Sequence, residues 1–178
     1  KNYELSFTIA IDASESFADW RTLVWVTGKE EHNAQRFPSL WFRPDIKGAL
    51  YVAQSYFTDL TQEQNYQDLT LEHLDSVTQF KAGETYDIKV TNINSLISIY
   101  VNGALDSSKQ ITDTYVPADG GKLMVGWNSI YASPGVQATI SNAHWRGTAL
   151  SFPDLEVWDP SQSGLRSESA CKCARSRT

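Results

Sequence analysis

The stretch Thr85-Tyr86-Asp87-Ile88-Lys89-Val90, resumed at Leu96-Ile97-Ser98-Ile99-Tyr100-Val101 and closed by Asn102-Gly103, decides the fold class. Tyr86, Ile88 and Val90 recur at every second position, the period of a strand with one face on a core and the other toward water. Asn-Gly readily takes the two positive φ angles of a type I′ turn, so the chain is predicted to double back there as a two-residue hairpin.

The same period runs outward in both directions. Tyr3, Leu5, Phe7, Ile9 and Ile11 alternate with Glu4, Ser6, Thr8 and Ala10, and Trp20 to Thr27 is apolar on both faces, as a central strand is. Ser39-Leu40-Trp41-Phe42-Arg43 is stopped by Pro44, which has no N–H to give a ladder. Asp45-Ile46-Lys47-Gly48 turns into a strand over Ala49 to Gln54. Thr58 to Asp75 is polar and reads as a long surface excursion, after which strands resume at Val77-Thr78-Gln79-Phe80. Lys122 to Trp127 and Val136 to Trp145 complete the set. About nine to eleven short strands and no helix predict an all-β fold, an antiparallel two-sheet β-sandwich of jelly-roll type. Leu5, Phe7, Ile9, Leu23, Phe42, Tyr86, Ile88, Val90, Val125 and Ile140 are expected inside.

The sandwich is expected over residues 1–158. From Asp159 the alternation ends, and 159–178 read as a polar linker or tail, leading to another module. Cys171 and Cys173 lie in it. They could open a cysteine-rich neighbour, supply metal thiolates, or stand as unpaired thiols. Without an initiator Met or an apolar leader, the chain reads as an excised or processed part of a longer protein.

Fifteen Lys and Arg against 21 Asp and Glu give a formal charge of -6, the wrong sign for a duplex nucleic-acid partner. No apolar run has the length of a membrane span. His32, His73 and His144 are far apart with no metal-ligand spacing, and neither a nucleophile elbow nor a phosphate-binding loop occurs.

Three segments together resemble the laminin G-like branch of the concanavalin A-like lectin and glucanase superfamily. The first runs from Phe17-Ala18-Asp19-Trp20-Arg21-Thr22-Leu23-Val24 through Arg36-Phe37-Pro38-Ser39-Leu40-Trp41-Phe42-Arg43-Pro44-Asp45. The second is Gly83 to Val90 with Ile99-Tyr100-Val101-Asn102-Gly103. The third is Leu123-Met124-Val125-Gly126-Trp127 with Ala138 to Asn142, Trp145 and Thr148 to Ser151. They span roughly residues 3 to 155.

The resemblance implies a jelly roll whose relatives include retaining glycoside hydrolases. Those need two carboxylates about 5 Å apart, which a strand supplies through a Glu-x-Asp-x-Glu spacing that is absent here. The nearest approach, Glu72-His73-Leu74-Asp75, would put its two acids on opposite faces. The chain is therefore expected not to be an enzyme. The resemblance also implies one calcium ion at a sandwich rim, with Asp45, Asp119 and Asn128 as the matching loop oxygens. A solvated turn acid is the plainer reading of each. Aromatic rings could stack on a sugar, and Trp127, Tyr131, Trp158, Tyr56 and Phe57 are the expected exposed platform. Trp25, Trp41 and Trp145 fall in strands and are expected to fill the core.

The expected function is a non-catalytic binding or adhesion module of a larger extracellular, cell-surface or lumenal protein. It would contact protein or glycan through rim loops or a sheet face. The alternatives are a structural subunit domain covered by neighbours in a permanent assembly, and a glucanase-like enzyme that has lost or displaced its acids.

Overall fold

The alternation becomes strand throughout. A computed structural model describes residues 2–26, 36–57, 69–111, 123–126, 134–147 and 155–157. Eleven strands follow one another: β1 (Tyr3–Ile11), β2 (Arg21–Val26), β3 (Ser39–Phe42), β4 (Ala49–Phe57), β5 (Leu69–Gln79), β6 (Thr85–Ile93), β7 (Leu96–Val101), β8 (Ala104–Gln110), β9 (Leu123–Val125), β10 (Ala138–Gly147) and β11 (Leu155–Val157). They form a five-stranded sheet, β10-β1-β6-β7-β8, and a six-stranded sheet, β11-β9-β2-β3-β4-β5. Neighbouring strands pair antiparallel as expected, apart from the short β11, which lies parallel to β9. The fold is the expected all-β jelly roll. No helix among the described residues is long and apolar enough to cross a membrane.

Odd residues of β1 and even residues of β6 point between the sheets, and Leu5, Phe7, Ile9, Leu23, Phe42, Tyr86, Ile88 and Val90 are buried as expected. Phe17, Phe42, Phe80 and Tyr86 pack ring on ring, with centroids 5.0, 5.3 and 4.6 Å apart. Such offset and edge-on contacts add to what burial alone contributes. Inside the core Tyr3 Oη donates to Gln54 Oε1 at 2.9 Å, a polar tie between the sheets.

Three expectations are corrected. Val125 and Ile140 are only partly buried, because β9 is three residues long and β10 is a sheet edge. The polar excursion over Thr58 to Asp75 gives way to strand at Leu69. As an edge strand, β5 can carry Glu72, His73 and Asp75 without burying charge unpaired, and this is why composition hides it. The edges of the two sheets are then laced together. Asp106 on β8 accepts from the N–H groups of Val77 and Thr78 at 2.7 and 2.9 Å, and the Lys109 ammonium pairs with Glu72.

Asn102 and Gly103 have φ of 50° and 81° and join β7 to β8 in the expected two-residue turn. A Cβ at Gly103 would meet nothing within 4 Å, so a side chain there strains only the backbone. Gly103→Val is therefore expected to cost about 1–2 kcal/mol, read as a lower urea midpoint. An unchanged midpoint would contradict the turn.

Candidate functional site

Register sorts the side chains of the six-stranded sheet into two faces. Val24, Leu40, Val52 and Leu74 line up across β2 to β5 toward the core. The residues between them face the other way. Met124, Trp25, Ser39, Ala53 and His73 form one outer row, and Thr22, Trp41, Tyr51 and Asp75 form the next. Trp25 and Trp41 are thus buried, as expected, but not in the sandwich core. They pack with Met124 in a separate cluster on the outer face, joined by Trp20 and Tyr51. Trp145 does lean on the core, half-buried, its ring stacked on Tyr3 at 5.2 Å.

The outer cluster is graded in exposure. Trp25 and Trp41 sit at its floor with centroids 5.4 Å apart, and the Arg36 guanidinium lies 5.6 and 5.9 Å from their ring centres. Trp20 meets Trp41 and Tyr51 edge-on at 6.2 and 5.3 Å, and both Trp20 and Tyr51 are half-exposed. Tyr51 then stacks at 4.9 Å on His73, which is exposed. Arg43 reaches back from the end of β3, its guanidinium 5.8 Å from the ring centres of both Trp20 and Tyr51. Alternation explains the grouping, since Ser39, Trp41 and Arg43 share one side of the chain and Leu40 and Phe42 the other.

Charge on this face is ordered by Arg43. It forks both oxygens of Asp45, at 2.9 and 2.5 Å, and donates to Asp75 Oδ2 at 2.8 Å. Hydrogen bonding to Asp45, and then to Asp75, holds the guanidinium above its usual range, and Arg43 in turn holds the Asp45 carboxyl below its own. Burial pushes the Tyr51 phenol above 10, with Arg36 and Arg43 opposing and Asp75 assisting. Thr22 Oγ1, Ser39 Oγ and Asp75 Oδ1 are buried on this same face and make no hydrogen bond among the described residues. An unmade bond to such an atom costs about 1–3 kcal/mol; Thr22 and Ser39 are fully enclosed, whereas Asp75 belongs to a half-exposed side chain at the edge of the face, where a donor from outside could approach. Among the described residues the Asn92 amide between the sheets and the Ser107 hydroxyl on β8 are also without partners, each apart from the others.

Ring faces, a planar cation and unpartnered oxygens together suit a hydroxyl-rich ring. Its C–H face can lie on Trp20 or Tyr51 while its hydroxyls meet the polar atoms. The other outer face differs. A shallow depression of about 340 Å³ on the five-stranded sheet is lined by Ser6, Thr8, Asp87, Lys89, Tyr100 and Asn142. There Thr8 donates to Asp87 at 2.7 Å and Lys89 lies 4.4 Å from the Tyr100 ring centre, so these polar groups serve one another.

The residues singled out from sequence fare unevenly. Tyr56 is in β4 and buried in the core, which removes it from an exposed platform, because it shares the inward parity of Val52 and Gln54. Phe57 ends β4, and nothing further is described of its side chain. Trp127, Tyr131, Trp158, Asp119 and Asn128 lie outside the described residues, as does the 159–178 tail. Asp45 is an exposed turn acid whose two oxygens both accept from Arg43. Among the described residues no cluster of three or more His, Cys, Asp or Glu side chains could hold a metal ion. Glu72 and Asp75 fall on opposite faces, as their spacing requires: Glu72 opposite Gln54 and Asp75 opposite Tyr51. The site residues missed from sequence are Trp20, Tyr51, His73, Arg43 and Asp75. Their signal was a strand, Ser39 to Arg43, with large side chains on both of its faces.

No family model matches the sequence, and no curated protein does. Solved structures do resemble the fold. Domains LG4-5 of the mouse laminin alpha1 chain align with a TM-score of 0.56 at 13% identity, over 83% of this chain and 36% of that one. This chain therefore spans little more than a third of the laminin structure. The CBM40 of a Ruminococcus gnavus IT-sialidase, bound to α2,3-sialyllactose, aligns with a TM-score of 0.55 at 12% identity, over 78% of this chain and 70% of that one. A Caenorhabditis elegans galectin aligns with a TM-score of 0.50 at 12% identity, over 83% and 84%. At these identities the likeness is one of fold: the chain has the concanavalin A-like jelly roll shared by laminin G domains and lectins.

Proposed function

We propose that this chain is a non-catalytic glycan-binding module of a larger extracellular or cell-surface protein, with the outer face of the six-stranded sheet as its recognition surface. The observation that carries the reading is the contiguous set of accessible rings, Trp20, Tyr51 and His73, beside the half-exposed Asp75 carboxylate with its unpartnered oxygen. A sandwich needs no aromatic cluster outside its core to fold, whereas a sugar-binding face needs half-exposed rings next to directional polar atoms. The split of Glu72 and Asp75 between two faces supports binding over hydrolysis.

The test is affinity for immobilised and soluble oligosaccharides by the parent, Trp20→Ala and Tyr51→Ala. Both rings are half-exposed, so the fold should survive and can be checked by circular dichroism. Each substitution is expected to weaken binding about tenfold, ~1.4 kcal/mol. Binding that both variants retain would place the ligand elsewhere.

A further inference from the structure

The cation over Trp20 and Tyr51 is already committed. Arg43 engages three of its N–H donors on Asp45 and Asp75, so at this end of the face one positive charge stands between two negative ones. The remaining Asp75 oxygen, Oδ1, is buried and unpartnered beside Tyr51. A carboxylate oxygen only accepts, so it asks its ligand for a donor. A sugar hydroxyl donates, whereas a sugar carboxylate cannot and would meet like charge. Arg36 lies over the buried rings Trp25 and Trp41 and its charge also reaches Tyr51, so the preference is carried by the acceptor-only Asp75 oxygen rather than by net charge. We infer that this face selects uncharged, hydroxyl-rich sugars and discriminates against sugars that carry a carboxylate. The inference rests on the glycan-binding reading above and adds the sign of its charge preference. Rejection by two acids held in place also acts through unpaired charge, a common source of specificity.

Paired ligands test it by calorimetric titration at low salt: β-1,4-linked tetraglucose against β-1,4-linked tetraglucuronate, and lactose against α2,3-sialyllactose. In each pair that binds, the neutral member is expected to bind about tenfold or more tightly, the scale of one like-charge contact at a protein surface. Asp45→Asn, on an exposed turn, should narrow that gap, and Asp45→Asn with Asp75→Asn should close or reverse it. If the carboxylated member binds as well or better, and Trp20→Ala still weakens it, the charge preference is wrong and the glycan-binding face stands. If no member binds, or binding ignores Trp20 and Tyr51, the glycan-binding reading fails and this inference fails with it.

Discussion

Glu15→Ala is expected to lower the unfolding free energy by about 3–5 kcal/mol, the scale of breaking a buried charge pair from one side. Glu15 lies in the loop between β1 and β2 with its side chain fully enclosed. Oε1 accepts from the N–H groups of Ser16 and Phe17 at 2.9 and 2.8 Å and from Arg21 Nε at 3.2 Å, and Oε2 accepts from the N–H of Gln137 at 2.9 Å. One carboxylate thus closes the end of the sandwich, joining the first loop to the approach to β10. It also holds Phe17 at a φ of 46°, a backbone state that a bulky residue keeps only when its surroundings impose it. Burial raises the Glu15 pKa, but the bonds from Gln137, Phe17 and Arg21 outweigh that and hold it below the ordinary 4.5. The ionised form is the one the fold prefers. Its contribution is therefore complete above about pH 4.5 and is lost as pH falls through the lower, folded-state value. Urea midpoints of the parent and Glu15→Gln should differ by a constant amount near neutral pH and converge in acid. A gap that is unchanged down to pH 3 would contradict this.

The second large effect is expected at Gly48, in the turn between β3 and β4. Its φ is 75°, and a Cβ there would lie 2.2 Å from the Phe80 carbonyl oxygen. The contact is with backbone, which cannot swing aside, and Phe80 N in turn donates to Gly48 O at 2.8 Å. Gly48→Ala must strain the turn and push away the strand end that seats the Phe80 ring between Phe42 and Tyr86. Overpacking and left-handed strain together are expected to cost about 2–5 kcal/mol. Thermal unfolding reads it directly, with Gly103→Val as the comparison in which strain acts without a clash. Equal losses in the two variants would mean that the Gly48–Phe80 contact relaxes.

Alternation made the architecture legible. A one-residue slip turns every inward side chain outward, so strands with one apolar face declare both their existence and their core side. β1 and β6 are of this kind, and their buried residues were read correctly. β5 was missed through Leu69 to Asp75, because an edge strand with polar residues on both sides has no single face to declare. The site was obscured by the opposite pattern. β2 and β3 are apolar on both faces, and a sequence cannot say whether a second apolar face is covered by another layer or forms a surface of its own. Trp25 and Trp41 were therefore read as core, and the loops were given the binding role. The Arg43–Asp75 bond could not be foreseen either, since Asp75 is 32 positions away and is brought to it only by the register of β3, β4 and β5.

The central claim, that ligand binds on the outer face of the six-stranded sheet, is tested most directly by the indole N–H signals of the six tryptophans. These would be followed by nuclear magnetic resonance as the ¹⁵N-labelled protein is titrated with lactose or β-1,4-linked tetraglucose. The account predicts the largest shift at Trp20, smaller shifts at Trp41 and Trp25 beneath it, and none at Trp145, whose ring stacks on Tyr3 beside the core. Shifts confined to Trp127 or Trp158, with Trp20 unmoved, would put the ligand elsewhere and contradict the account.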